Sequence, residues 1–140
     1  CDYGVMPPTV LKSLLEKVYA ALKPGGFFLL DAFTPAHYGD FQDRLVASYE
    51  KAGGFWRAEA YLCLQKDKIY PGGVYLEGYT VVTEEDCQNY NLWNQAFTQA
   101  TLGEELADGG FGKVDFFANV KGDPWQESSE TLCALAKKDS

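Results

Sequence analysis

Asp31 closes the continuous apolar run Phe27-Phe28-Leu29-Leu30. A carboxylate at the end of a buried strand can orient a bound molecule or take a proton from it, and Asp31 is the candidate catalytic residue. The same group can equally be satisfied by backbone N–H groups and do no chemistry. His37 is the sole histidine and falls in the loop after that run, where it reads as a solvated side chain rather than a proton carrier. Phe33, also at the strand end, and the rings Phe55, Trp56, Tyr61, Tyr90 and Trp93 are the pocket candidates, because broad rings can roof a site, exclude water and select a ligand. Core packing of a small sheet, or an interface between two copies, accounts for the same rings. Cys1, Cys63, Cys87 and Cys133 are scattered without a CxxC pair, so no metal site is expected and reduced cytoplasmic thiols are.

The chain that must position these groups has 140 residues, the size of one domain, and its 46% hydrophobic and 15% aromatic content is enough for a core. A net charge of −8, with no basic cluster longer than Lys137-Lys138, argues against a nucleic-acid partner, since phosphates need a basic stripe. The apolar runs are too short to cross a bilayer, and no charged-then-apolar leader is present, so no membrane partner is expected. The opening Cys-Asp-Tyr-Gly-Val in place of Met predicts that the chain begins inside a longer protein.

Residues 2–6 read as the end of a strand running into a loop, stopped by Pro7-Pro8. Val10, Leu11, Leu14, Leu15, Val18, Tyr19 and Leu22 recur as one apolar helix face, with Thr9 as the expected N-cap and Lys23-Pro24-Gly25-Gly26 as the stop. The run from Phe27 to Leu30 is continuously apolar, as in a central parallel strand covered on both faces, so residues 1–44 read as a βαβ portion. From 45 to 97 the pattern has period two. Tyr61–Leu64, Val74–Leu76, Tyr79–Val82 and Tyr90–Trp93 read as strands of an inserted antiparallel meander. Pro71-Gly72-Gly73 and Glu84-Glu85-Asp86 are its turns, and Gly53-Gly54 and Gly72-Gly73 fit turns that need positive φ. Residues 98–140 then give a late helix, capped by Thr98, lined by Leu102 and Leu106 and closed by Gly109-Gly110. An edge-like strand from Val114 to Val120 follows. A polar loop holding Asp123-Pro124-Trp125, readable as no more than a β-turn, leads to a last strand from Thr131 to Ala136.

Three blocks in this order resemble the second half of class I S-adenosylmethionine-dependent methyltransferases. The first is Leu22-Lys23-Pro24-Gly25-Gly26-Phe27-Phe28-Leu29-Leu30-Asp31. The second is Phe97-Thr98 with Leu102, Leu106 and Gly109-Gly110-Phe111. The third is Val114 to Phe117 set against Leu132 to Ala136, which is similar to the family's reversed last strand. The opening Asp2 to Pro8 and the stretch from Gly53 to Leu64 also resemble an uncharacterised bacterial subgroup of such enzymes. The resemblance implies a Rossmann-like α/β sheet, of which this is the C-terminal part, with the antiparallel meander inserted.

It further implies S-adenosylmethionine as cofactor in the full-length parent and methyl transfer to a small or medium acceptor. By the same resemblance Tyr3, Gly4 and Val5 become the cofactor-contact candidates, and Phe33, Trp56, Tyr61 and Trp93 the acceptor-site candidates, with the rings also able to attract a sulfonium. The chain departs from the family in one respect. No GxGxG turn occurs, and Gly25-Gly26 follows a helix and precedes a strand, the reverse of a cofactor turn. The expectation is a fragment inactive alone, with an open sheet edge where further strands belong. Two alternatives remain: a non-catalytic α+β domain that dimerises through the inserted sheet or that edge, and a different nucleotide-binding α/β enzyme such as a dehydrogenase, which suits the reversed terminal hairpin less well.

Overall fold

The computed structural model describes residues 2–140, so the Cys1 thiol lies outside the described residues. The chain divides into two compact units. One comprises the residues up to Gly39 together with Gln95–Ser140, and the other is Asp40–Asn94.

In the first unit α1 spans Pro8–Ala21 and buries Leu11 and Leu15. Its N-cap is Pro7 and not Thr9. Proline has no N–H to leave unpaired and a φ already suited to a first turn, so Pro8 starts the helix before Thr9 can cap it. Residues 2–6 depart from expectation as well. Asp2–Val5 is a 3-10 turn, not a strand end, and its Tyr3 is buried. The later helix follows the sequence closely. In α2 (Gln99–Asp108), Thr98 is the N-cap, its Oγ1 accepting from the Thr101 N–H while the Thr101 hydroxyl accepts from the Thr98 N–H. Leu102 and Leu106 are fully buried, and Gly109 is the C-cap.

Strands β1 (Phe27–Phe33), β6 (Lys113–Phe117) and β7 (Thr131–Lys137) form a three-stranded sheet in the order β1-β7-β6. Both neighbours pair antiparallel with β7, through registers such as Leu30↔Ala134 and Phe116↔Ala134. It follows that β1 and β6 run in the same direction with one reversed strand between them. Leu30, Ala32, Leu132, Ala134 and Ala136 join Leu11, Leu15, Phe97, Leu102, Leu106 and Phe111 in one buried core.

The expectation for Phe27–Leu30 needs correcting. The strand has no parallel partner among the described residues, and it is not covered on both faces, since Phe27 is 57% and Leu29 51% exposed. Alternation explains this. Leu30 and Ala32 point into the core while the odd-numbered residues point away, and a short apolar run does not reveal whether one face or two will be packed. β1 is thus an edge strand in this sheet.

The second unit is a four-stranded sheet, β2 (Arg44–Glu50), β3 (Tyr61–Tyr70), β4 (Val74–Val82) and β5 (Cys87–Gln95), in sequence order. The β2–β3 and β3–β4 pairs are antiparallel. Val74–Leu76 and Tyr79–Val82, expected as separate strands, are one strand that runs through Glu77-Gly78. Gly78 sits opposite Lys66, and a Cβ there would lie 3.2 Å from Asn91 Oδ1 and 3.3 Å from the Lys66 carbonyl, so the glycine marks crowding between strands rather than a break. β3 likewise continues past Leu64, because Asp67 is buried with Arg44 and Gln65 as partners. Gly72 and Gly73 both take positive φ in the β3–β4 turn. Gly53 does too, but Gly54 does not. A Cβ on Gly54 would stand 2.7 Å from the Tyr61 hydroxyl, so close approach and not backbone handedness accounts for that residue.

Candidate functional site

Two groups of candidate residues exist, one in each unit. In the first unit the Asp2–Val5 turn packs against β1, which brings Tyr3, Gly4 and Val5 together with the strand that carries Asp31 and Phe33. Tyr3 is a core residue. Its ring lies 5.3 Å from that of Phe97, and its hydroxyl donates to Glu105 Oε2 at 2.8 Å. Gly4 is held against Gln95, whose carbonyl oxygen would be 2.5 Å from a Cβ. Val5 is half exposed and is the member of this trio free to meet a ligand.

Burial, reinforced by the hydrogen bond to Glu105 and by its charge, pushes the Tyr3 phenol far above its ordinary value. The sign of the pH effect follows. The folded state holds this proton more tightly than the unfolded chain, so the stabilisation is complete below about pH 10 and declines as pH rises above it. Tyr3→Phe is therefore expected to flatten the alkaline limb of a stability–pH curve measured by urea unfolding. An unchanged limb would assign it to other groups.

Asp31 is half-buried and faces Cys133 across the β1–β7 pair. Burial, and then the nearby Asp31 carboxylate, raise the Cys133 thiol above its ordinary range. Phe33 is already covered on one side. His37, in the 3-10 turn Pro35–Tyr38, stacks on it at 3.8 Å with an interplanar angle of 13°, and Tyr38 meets its edge at 6.2 Å. His37 Nδ1 is also 3.8 Å from Glu130 Oε2. His37 is exposed, as expected of a solvated loop histidine, and its ring covers one face of Phe33.

In the second unit Trp56 is the hub. Its ring stacks on Tyr90 at 4.7 Å and 21°, tilts against Tyr79 at 4.9 Å, and meets Phe55 edge-on at 4.9 Å. Arg57 fixes this arrangement, donating to the Trp56 carbonyl at 2.8 Å and to the Tyr90 hydroxyl at 3.0 Å, with Asp86 at 3.7 Å. Phe55, Trp56, Tyr79, Asn89, Tyr90, Asn91 and Leu92 line an open cavity of about 640 Å³. Four aromatic side chains and two amides in the lining suit a flat, partly polar molecule.

Two of the expected ring residues are not part of it. Tyr61 is buried beneath the cluster with Cys63 and Val81. Trp93 pairs instead with Tyr70 at 5.5 Å, because its three-residue offset from Tyr90 sends it to the opposite face of β5. Tyr79 and Arg57 were absent from the sequence candidates. Tyr79 could have been found only from the cross-strand register, and Arg57 only from its hydrogen bonds.

Among the described residues no helix is long and apolar enough to cross a membrane. No protein-family profile and no curated protein matches this sequence. Solved structures do match its fold. A methyltransferase, CcbJ, from Streptomyces caelestis superimposes with a TM-score of 0.60 at 14% identity, over 92% of this chain and 50% of that one. An S-adenosylmethionine-dependent methyltransferase from Clostridium acetobutylicum gives 0.61 at 14% identity, over 99% of this chain and 55% of that one. The amino pentose methyltransferase CalS10 from Micromonospora echinaspora, in a structure with S-adenosylmethionine bound, covers 95% of this chain and 53% of its own at 15% identity, with a TM-score of 0.43. The chain spans about half the length of the solved structures it matches. Its architecture is accordingly a partial, Rossmann-like α/β domain with an inserted antiparallel sheet, of the class I methyltransferase-like fold.

Proposed function

We propose that this chain is part of a cytoplasmic S-adenosylmethionine-dependent methyltransferase acting on a small or medium acceptor, and that it is inactive alone. The observation that carries the reading is the reversed β7 held between the co-directed β1 and β6, with the free edge of β1 beside it. An edge with Phe27 and Leu29 exposed suits the addition of further parallel strands, whose crossover helices would cover the apolar face. The residues present do not make a complete grip for the cofactor. Tyr3 is buried, Gly4 lies against Gln95, and the sequence offers no Gly-rich turn between a strand and a helix. What the chain supplies in this reading is positioning. The Phe55–Trp56–Tyr90 cavity of the second unit is the part that takes the acceptor.

The test is calorimetric. S-adenosylmethionine is titrated into this chain and into a form extended by whatever is encoded immediately upstream. Binding is expected only to the extended form, whose added sequence should contain a Gly-rich strand–turn–helix. Equal, tight binding to both forms contradicts the missing grip. Binding to neither, with no such motif upstream, favours a non-catalytic interaction domain. The exposure of β2 gives that second reading its own support.

A further inference from the structure

Strand β2 forms one edge of the four-stranded sheet, and all seven of its residues are exposed. Leu45 is 72% and Tyr49 64% exposed, on the same face of the strand. Edge strands usually carry a device that blocks pairing, such as a proline, a bulge or a charge in mid-strand. β2 reads Arg-Leu-Val-Ala-Ser-Tyr-Glu and has none of these at its centre. Its charges sit at the two ends and are opposite in sign. We propose that β2 pairs antiparallel with β2 of a second copy of this chain about a two-fold axis at Ala47, joining two four-stranded sheets into one of eight strands.

The choice of a second copy as occupant rests on charge and side-chain complementarity. Reflected about Ala47, Arg44 meets Glu50, Leu45 meets Tyr49 and Val46 meets Ser48, each twice, as an isologous interface requires. The next residues outward, Asp43 and Lys51, are also opposite in sign. Both apolar side chains of the exposed face are covered in this register, one Leu–Tyr pair on either side of the axis. Arg44 is already positioned for the contact, since its guanidinium is held by Asp67 while its side chain stays 55% exposed. A shift of one residue would place each apolar side chain opposite the other face of the partner strand. The other edge, β5, reads Cys-Gln-Asn-Tyr-Asn-Leu-Trp-Asn-Gln and has no charge to set a register.

Sedimentation velocity on the chain as it stands reads the outcome. A species of twice the 15.5 kDa chain mass is expected at micromolar concentration. R44E and E50R each place like charges opposite one another at both ends of the pair, and each alone should raise the dimer dissociation constant at least tenfold. Mixing the two variants should restore association, because every acid then meets a base. That rescue is specific to the antiparallel register. Because R44E also strips the buried Asp67 of its cation, the mixture is read with R44E that keeps a cooperative urea transition, and E50R, which touches no buried charge, must raise the dissociation constant by itself. L29K, on the β1 edge of the other unit, should leave the mass unchanged. In a C87S background, A47C should give a disulfide-linked dimer under mild oxidation, since residues facing across a two-fold lie within disulfide reach. A monomer at all concentrations overturns the proposal. So does a dimer lost in L29K but kept in R44E, or a mixture of R44E and E50R that stays monomeric.

Discussion

Phe97→Ala is expected to cost the first unit about 3–5 kcal/mol, read as a lower urea midpoint with little change in slope. Phe97 is 1% exposed and precedes the Thr98 cap, so its ring enters the core just where the chain turns into α2. It packs on Tyr3, and its N–H donates to the Phe33 carbonyl at 2.8 Å. One ring therefore ties together the Asp2–Val5 turn, the end of β1 and the start of α2. Truncation leaves a cavity that these three elements cannot all close, and the backbone hydrogen bond survives to hold them apart. A loss below about 1 kcal/mol would mean that the turn collapses into the space, and that Tyr3 is less firmly held than its bond to Glu105 implies.

The second large effect is expected at Gly53. The residue has a φ of +78°, and a Cβ would lie 2.0 Å from the Ala58 carbonyl oxygen and 3.0 Å from that of Arg57. Gly53→Ala is expected to destabilise the second unit by more than about 1 kcal/mol and to displace the segment that carries Trp56 and Arg57. Gly72→Ala is the control. It has a φ of +81°, nearly the same, yet nothing lies within 4 Å of the added carbon, so only backbone strain remains and the cost should be smaller. Urea unfolding followed by tryptophan fluorescence compares the two. Equal costs would show that the 51–60 loop yields to the methyl group. Because Trp56 rests on Tyr90, Gly53→Ala should also shift the native emission, whereas Gly72→Ala should not.

The local signals in the sequence were reliable where they rest on one residue's own chemistry. Thr98 capped α2, Gly109 ended it, and the Pro71-Gly72-Gly73 turn formed where it was expected. They failed where two local preferences competed. Pro8 displaced Thr9 as the start of α1, and Pro7-Pro8 with a buried Tyr3 left Asp2–Val5 as a 3-10 turn. Of the site candidates, Trp56 and Tyr90 came together, with Tyr61 beneath them, while Trp93 faced elsewhere and Tyr3 belonged to the core.

The order of elements and most of the caps and turns could be read from the chain alone, because each depends on residues close together in sequence. Which faces are packed could not. Phe27–Leu30 is uniformly apolar, yet only Leu30 is buried, since burial depends on what the rest of the chain brings to each side. The aromatic cavity is likewise a product of register. Tyr79 and Tyr90 meet Trp56 only because β4 and β5 lie side by side, and no spacing within one segment encodes that. The self-matching pattern of β2 was written in the sequence throughout, but it gained meaning only once the fold left that strand at an edge with every side chain exposed.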